Sequence, residues 1–327
     1  MQRQTIEAKY ISTLSWTNNH LIDWANSGRK FFPDGRIEKN RWFGFFSSFN
    51  SAITSEDGVY AVIYHKLGIK GILLKNGRVL RRIYRSSYKA NFYEYPVAFA
   101  KLKDGRTILI HCPNDYCRLE FEEVETGLPL SNIDRKPSDF FHSRLEVSPD
   151  NKTLLSKGWY WHPFDHVGIF DIDECIENPK ALDESKHNLE VDAEVSSASF
   201  ITNELVLIGS SKDAEVFEDE PSDRLKNGQI AIWNIKTNQV SEIVQANFDI
   251  GGHLMVIDET FAWELYENPK IINFKTGEII DEIKEIQSGN QVSSIISNLG
   301  KLPLIAFNRQ TKQVAISEDN KIEILTK

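Results

Sequence analysis

The amino-acid sequence predicts an all-β fold, a single β-propeller of seven four-stranded blades, with six or eight blades as alternatives. Three observations lead to this fold. Short segments rich in β-branched and aromatic residues recur along the whole chain, turn residues separate them, and the recurrence has the step of a propeller blade. Helical periodicity is weak throughout, and only 173–185 and 283–287 could form short helical turns.

Two stretches of the chain show the same order of elements. Residues 143–173 contain a strand, a turn at 149–151, a second strand, an insertion and a third strand. Residues 199–235 repeat that order around a turn at 202–204. Each strand is short and bounded by turn residues, as in antiparallel hairpins.

A turn late in each repeat sets the period. The Asn76-Gly77 pair is typical of a type I′ hairpin turn, which needs the left-handed backbone at both central positions. Equivalent turns lie near Gly35, Gly77, Gly127, Asp173, Asn238 and Gly277, with a final hairpin at Asp319-Asn320. Their mean step is about 47.5 residues, and four-stranded propeller blades occupy about 40 to 50 residues. A chain of 327 residues therefore has room for seven blades.

The two ends of the chain are predicted to close the ring together. The last repeat ends after its third strand, at Lys327, whereas residues 5–11 alternate in polarity with no strand partner nearby. We therefore expect the N-terminal segment, within residues 1–12, to become the outer strand of the last blade and so protect both edges. Residues 1–327 would then form one domain. The first blade, residues 12–44, has the least distinct strands.

Two repeats resemble a known family. Residues 147–156 and 229–237 look like the bodies of WD40-type repeats. The third strand in that family commonly ends in Trp-Asp, and Trp233-Asn234 and Phe170-Asp171 occupy that place here. The Gly-His pair of the family is missing, because Gly252-His253 lies at another phase of its repeat. The resemblance touches roughly six repeats and implies a WD40-like propeller, a fold that mostly binds proteins and hosts many other roles.

Composition excludes several classes of partner. The chain has 38 Lys and Arg against 47 Asp and Glu, a net charge of −9, which disfavours nucleic acid and anionic bilayers. No run of apolar residues approaches the length of about 18 residues that a membrane-spanning helix needs. The first ten residues lack the apolar core of a secretory signal, and three cysteines are too few for a disulfide framework. The sequence thus predicts a cytoplasmic protein that is monomeric on its own.

The densest group of chemically versatile side chains lies in residues 158–166, which we expect to form an insertion between strands. Its candidate binding residues are Trp159, Tyr160, Trp161, His162, Asp165 and His166. Imidazole and carboxylate groups suit zinc or iron. However, Pro163 prevents a helix that would align both histidines, so we predict no metal site. The alternatives are a structural aromatic loop and a recognition loop, since Trp and Tyr are enriched in binding hot spots.

Three further insertions fall at the same connection, between the second and third strands of a repeat. They are residues 111–118, 212–227 and 263–269, and they add Tyr116 and Trp263 to the candidate binding residues. If the blade assignment holds, all four insertions emerge on one face of the propeller, where loops on a rigid scaffold often carry binding. The alternative is that this connection merely tolerates insertions.

Segments that lead into innermost strands are expected to line the central funnel. Residues 85–95 and 140–144 supply the funnel candidates Tyr93, Glu94, His142 and Arg144. An arginine, a histidine and a carboxylate could build a general acid–base site. The interpretation we favour is a buried belt of ion pairs and hydrogen bonds that joins neighbouring blades.

These observations favour a non-catalytic scaffold that binds a protein or peptide and uses no cofactor. The chain contains no dinucleotide or P-loop motif, no nucleophile elbow and no zincin motif, and we assign no catalytic residue. The alternative is a propeller enzyme, a hydrolase or lyase, with a histidine–carboxylate or metal site in the funnel.

Overall fold

The computed structural model describes residues 1–39, 46, 48–130, 133–216, 223–296, 302–318 and 320–327. The strands of these residues form seven antiparallel sheets, which are the blades of the predicted seven-bladed β-propeller. Parts of three predicted features lie outside the described residues: the end of the first blade, the middle of the 212–227 insertion, and Asp319 of the last hairpin.

The strands are numbered along the chain, and each blade is built from consecutive strands except the last. Blade 1 contains β2 (Ser15–Trp16), β3 (Leu21–Asp23), β4 (Arg29–Phe31) and β5 (Ile37–Glu38). Blade 2 contains β6 (Ser51–Thr54), β7 (Tyr60–Tyr64), β8 (Lys70–Lys75) and β9 (Arg78–Tyr84). Blade 3 contains β10 (Val97–Lys101), β11 (Thr107–His111) and β12 (Glu120–Glu123). In the fourth position of blade 3, residues 128–130 pair with β12 through the Glu122–Pro129 bridge.

Blade 4 differs from the others at both edges. Its inner edge is split into β13 (Phe140–Phe141) and β14 (Glu146–Val147), which both pair with β15 (Thr153–Tyr160). The strand β16 (Phe164–Asp171) pairs with the other edge of β15. The helix α1 (Ile172–Glu177) and a 3₁₀ turn (Pro179–Leu182) follow β16, within the region where short helical turns were predicted.

The remaining three blades complete the ring. Blade 5 contains β17 (Ser197–Phe200), β18 (Leu205–Gly209), β19 (Gln229–Asn234) and β20 (Gln239–Gln245). Blade 6 contains β21 (Leu254–Val256), β22 (Phe261–Glu264), β23 (Lys270–Asn273) and β24 (Glu278–Glu282). Blade 7 contains β25 (Leu304–Phe307), β26 (Val314–Glu318), β27 (Lys321–Thr326) and, as its outer strand, β1 (Gln2–Glu7).

The N-terminal strand closes the ring as the sequence predicts. The strand β1 pairs antiparallel with β27 over six residues, from Gln2 opposite Thr326 to Glu7 opposite Lys321. The strand covers residues 2–7 rather than the predicted 5–11: it begins three residues earlier, where Arg3 bonds Glu323 on β27, and residues 8–11 lie beyond its end. The edge of blade 7 is therefore covered by the first residues of the chain.

The first strands of the blades surround a central channel. Neighbouring first strands contact one another, as β25 does with β2, β2 with β6, β6 with β10, and β17 with β21. Because adjacent strands run antiparallel, connections alternate between the two ends of the ring. We call one end the insertion face: it carries the connections from second to third strands and from one blade to the next. The other end, with the first-to-second and third-to-fourth turns, is the turn face.

The hydrophobic core lies between blades. Among the described residues, seven clusters of buried side chains each join two neighbouring blades; for example, one joins Leu154 of blade 4 with Phe121 of blade 3. The predicted Asn76-Gly77 turn is present, with φ of 49° and 75°. In the described part of the chain, no helix is long and apolar enough to cross a membrane.

Candidate binding face

The aromatic segment 158–166 forms a hairpin rather than an irregular insertion. The strands β15 and β16 pair continuously over eight residues, from Thr153 opposite Asp171 to Tyr160 opposite Phe164. Aromatic side chains favour the extended backbone and pack well across strands, which explains why the hairpin continues to its tip. The tip, around His162, is exposed on the insertion face, and His162 has a φ of 76°.

The base of the candidate site is a stack of buried aromatic rings with the half-buried Tyr116 at its edge. The Trp159 ring lies 3.7 Å from the Phe141 ring at an angle of 7°, and Tyr116 also stacks on Phe141 at 4.2 Å. The Tyr93 ring meets Phe141 edge-on at 5.5 Å. Tyr93, Phe141 and Trp159 are buried and form a hydrophobic cluster of their own on the insertion face. Offset and edge-on aromatic packing makes this base rigid.

A second layer of aromatic rings rests on this base and is exposed. Tyr88 is 45% exposed and Trp161 is 43% exposed, and their rings lie 6.1 Å apart. Tyr116 lies 5.1 Å from Tyr88, and Lys89 Nζ lies 5.6 Å from the Trp161 ring and 5.5 Å from the exposed Phe92 ring. We call Tyr88, Phe92, Tyr116 and Trp161 the aromatic patch.

The described part of the connection between blades 6 and 7 crosses the channel to reach this region. Within it, residues 288–296, the crossing segment, contact blade 4 and the connection before blade 3. Ile296 donates its backbone N–H to Phe92 O at 2.7 Å, and Ser294 donates its backbone N–H to Asp165 Oδ1 at 2.8 Å. Ile295 packs against the buried aromatic cluster. The crossing segment therefore spans the channel at the insertion face and supports the aromatic patch from below.

Among the funnel candidates, Arg144 joins several blades. Its guanidinium donates to Gly252 O of blade 6, to Ser196 O of blade 5 at 2.8 Å, and to Ser294 Oγ of the crossing segment at 2.6 Å. Burial lowers the pKa of Arg144, while Asp165 and Glu94 favour its charged form. These bonds connect blade 4 with blades 5 and 6 and with the crossing segment.

Glu94 and His142 have different surroundings. Glu94 lies 3.0 Å from Lys66 Nζ; burial opposes its ionisation, but Lys66, His253 and Arg144 outweigh burial and lower its pKa to about 2. His142 instead places Nδ1 3.0 Å from Ser156 Oγ, and its ring packs on Phe140. Burial lowers the pKa of His142 to about 3. The structure thus joins Glu94 with Arg144 electrostatically and directs His142 into the protein between other side chains.

Strand alternation distributes the candidate residues of 158–166 over two sides of the hairpin. Trp159 and its cross-strand partner Asp165 lie on one side of the hairpin, and Trp161 lies on that side at the tip. Tyr160 and His166 lie on the other side, with their rings 5.6 Å apart. Burial lowers the pKa of His166 to about 4. No group of three His, Cys, Asp or Glu side chains in the described ranges could hold a metal ion.

Trp263 is placed differently from the other candidate binding residues. Its side chain is fully buried in the cluster between blades 6 and 7, and its Nε1 donates to Lys312 O at 2.8 Å. It lies in β22, before the connection to which the sequence assigned it. Trp263 therefore stabilises the contact between two blades and is not part of the aromatic patch.

The buried Asp165 carboxyl predicts a pH dependence of stability. Burial raises the pKa of Asp165 to about 6, despite Arg144 and the Ser293 and Ser294 hydrogen bonds. The folded protein therefore keeps a proton between about pH 4 and pH 6 that the unfolded chain releases. The contribution of this group to the free energy of unfolding is largest below pH 4 and falls by about 3 kcal/mol as the pH rises through 6.

Asp165→Asn should remove this part of the pH dependence. Urea unfolding at pH 4.5 and pH 7 should show that the variant gains much more stability over the natural protein at pH 7 than at pH 4.5. Asp139→Asn, at an exposed carboxyl that accepts from Tyr116, serves as the control. Parallel pH profiles for the natural protein and Asp165→Asn would contradict the assignment.

Comparison with known proteins shows similarity of fold. None of the protein-family models matches the chain, and no curated protein matches it in sequence. It is similar to a chain in the crystal structure of a mitotic checkpoint complex, with 12% identity, a TM-score of 0.61, and coverage of 99% of this chain and 91% of that one. It is also similar to hydrazine synthase of Kuenenia stuttgartiensis, with 10% identity, a TM-score of 0.62, and coverage of 98% and 96%.

A designed protein is also similar to the chain. The computationally designed protein Ika8 is 12% identical, with a TM-score of 0.53 and coverage of 99% of this chain and 98% of that one. At such identities the likeness concerns the fold alone. Together with the seven sheets, it confirms the β-propeller fold that the resemblance of residues 147–156 and 229–237 to WD40-type repeats implies.

Proposed function

We propose that the protein is a non-catalytic scaffold that binds a protein or peptide partner through the aromatic patch on the insertion face. One observation carries the proposal: Trp161 and Tyr88 are each more than 40% exposed, although their rings rest on a rigid, buried aromatic base. Large exposed aromatic side chains that form one patch mark interaction sites more often than isolated ones do.

The rigidity of the patch supports binding. The hairpin β15–β16, the inner strand β13 and the crossing segment hold the rings from three directions. A partner therefore need not order flexible loops, which lowers the entropic cost of association. Trp and Tyr at such positions are the residue types that dominate binding free energy in interfaces.

The charges around the patch indicate which partner would fit. Asp115 and Asp139 are exposed beside Tyr116, and the Tyr116 hydroxyl donates to Asp139 Oδ1 at 2.7 Å. The chain as a whole carries a net charge of −9. Lys89, over the Trp161 ring, is a cation of the same patch, and Asp115 and Asp139 together outweigh its charge. We infer a partner segment with an apolar anchor and, facing Asp115 and Asp139, Lys or Arg side chains. The cytoplasm remains the proposed location, because three cysteines are too few for a disulfide framework, and a monomeric state of the free protein also remains a proposal.

Loss of the Trp161 side chain should weaken partner binding without unfolding the protein. The measurement is affinity purification of the tagged chain from its native host, followed by a binding titration with the recovered partner. Trp161→Ala and Tyr88→Ala should each weaken that binding at least about tenfold, as expected for hot-spot residues.

Tyr84 provides a matched control. It is 47% exposed on the outer strand β9 of blade 2, so Tyr84→Ala removes an equally exposed tyrosine away from the patch. The proposal holds if a stoichiometric partner is kept by Tyr84→Ala and lost by both patch variants. Equal partner binding by Trp161→Ala and the natural protein would refute it. Circular dichroism and thermal unfolding of each variant show whether the fold is intact.

A further inference from the structure

A cavity of about 540 Å³ occupies the central channel at the turn face. Its lining comes from the first strands or first turns of all seven blades. The crossing segment spans the channel at the opposite end, so the cavity opens on the turn face, away from the aromatic patch. Ligand pockets in proteins typically have volumes of about 300 to 1,000 Å³, so the cavity has room for a small organic molecule.

Charged side chains meet at the mouth of this cavity. Arg309 reaches from blade 7 across the channel to blade 4, where Nη1 donates to Val147 O at 2.5 Å and Nη2 lies 3.6 Å from Glu146 Oε1. Lys312 lines the same mouth, half-buried, with Nζ 6.0 Å from the Phe307 ring. Two cations from one blade therefore face the same space.

The carboxylate in the cavity already has a partner. Glu146 Oε2 lies 2.7 Å from Lys157 Nζ, and Glu146 Oε1 accepts from the Phe200 backbone N–H at 3.3 Å. Glu56 is the other carboxylate among the described lining residues, and it is exposed at the rim. Two lining cations, Arg309 and Lys312, face these two carboxylates, and Lys157 behind the wall adds a third cation that pairs with Glu146. The cavity thus has a positive balance in a chain whose net charge is −9.

Asn308 adds a hydrogen-bond donor that has no partner in the protein. Its Oδ1 accepts from the backbone N–H groups of Gln310 at 3.0 Å and Thr311 at 3.1 Å, which fixes the orientation of the amide. Its side chain is 4% exposed and lines the cavity, and Nδ2 is buried without a hydrogen-bond partner. An unsatisfied buried donor is costly, and a side-chain shift that brings Nδ2 to a bound acceptor would remove that cost.

We propose that the cavity binds a small organic carboxylate, held by Arg309, Lys312 and Asn308 Nδ2. The apolar body of the ligand would contact the aromatic side chains that line the cavity, which are Trp16, Phe99, Phe200 and Phe307. Charge-assisted hydrogen bonds to a carboxylate are stronger than neutral ones, so the negative charge of the ligand is the feature that the site selects.

The test is isothermal titration calorimetry with 3-phenylpropionate, its neutral amide 3-phenylpropionamide, and inorganic phosphate. The carboxylate should bind at millimolar concentration or below, and the amide should bind at least about tenfold more weakly. No binding of 3-phenylpropionate, equal binding of the amide, or binding of phosphate alone would overturn the proposal.

Two variants locate the site. Arg309→Gln should weaken binding of 3-phenylpropionate about tenfold. Asn308→Asp keeps the acceptor oxygen that the turn uses but replaces the donor with a carboxylate, and it should abolish binding by repulsion. Lys180→Gln removes one exposed charge elsewhere and should leave binding unchanged. Equal affinity of Asn308→Asp and the natural protein would place the ligand elsewhere and refute the site. Trp161→Ala should bind 3-phenylpropionate normally, so this site and the aromatic patch are tested independently.

Discussion

Replacing Gly158 with alanine is expected to destabilise the protein by about 3 kcal/mol, the upper range for overpacking a tight site. A Cβ atom at this position would overlap the carbonyl oxygen of Phe141 and lie 2.8 Å from Cζ of Phe140. The first neighbour is backbone, which cannot turn aside as a flexible side chain can. Either β13 must leave β15, or the hairpin must bend.

Gly168 in the same hairpin provides the control. It lies on β16, and the nearest atom to an added Cβ would be Cε2 of Phe170 at 3.5 Å, an ordinary contact. Urea unfolding should therefore show a large loss for Gly158→Ala and a change of less than about 1 kcal/mol for Gly168→Ala. Equal losses would mean that β13 is not packed against β15 as described.

The Gly158 substitution also connects the fold to the proposed function. The strand β13 carries Phe141, on which Trp159 and Tyr116 stack. If β13 separates from β15, the base of the aromatic patch is lost while Trp161 remains in the chain. Near-ultraviolet circular dichroism should then lose aromatic signal in Gly158→Ala, and partner binding should fall as it does in Trp161→Ala.

Local sequence features were sufficient to predict the propeller. The Asn76-Gly77 turn depends only on the backbone preferences of its own residues. The pairing of β1 with β27 followed from a simple requirement, since a blade that ends after three strands leaves an open edge and an unpaired terminal segment can cover it. These inferences needed no knowledge of contacts between distant side chains.

The candidate site was less accessible from the sequence because it is made of distant contacts. Asp165 and Ser294 are 129 residues apart and belong to different blades or connections, and no local pattern relates them. Phe141 and Lys89 were missed for the same reason, although the aromatic density of residues 85–95 was a signal that this segment contributes to the surface. Trp263 shows the reverse case, because residue type alone does not distinguish a tryptophan on a surface from one packed between two blades.

Removing residues 1–7 is expected to destabilise the protein by about 3 to 5 kcal/mol and to promote self-association. The side chain of Glu323 on β27 is fully buried; it receives two hydrogen bonds from Arg3, at 2.9 and 2.8 Å, and one from Thr5 at 2.7 Å. Burial opposes ionisation of Glu323, but these bonds and Lys321 lower its pKa to about 2, so the group is charged at neutral pH. Without β1, the remaining ion-pair partner of Glu323 among the described residues is Lys321, whose Nζ lies 3.2 Å from Glu323 Oε1.

Combining the deletion of residues 1–7 with Glu323→Gln separates the destabilising effect of the unpaired buried charge from the effect of losing the strand β1. If the unpaired carboxylate causes much of the loss, Glu323→Gln in the shortened chain should restore part of the stability, because the amide is neutral. In the full-length chain the same substitution should destabilise, since Arg3 then loses its ionic partner. Urea unfolding gives both comparisons, and size-exclusion chromatography should show oligomers of the shortened chain, whose β27 presents an unpaired edge. An unchanged unfolding midpoint after deletion would contradict closure of the ring by β1 and, with it, our proposal that residues 1–327 fold as one domain.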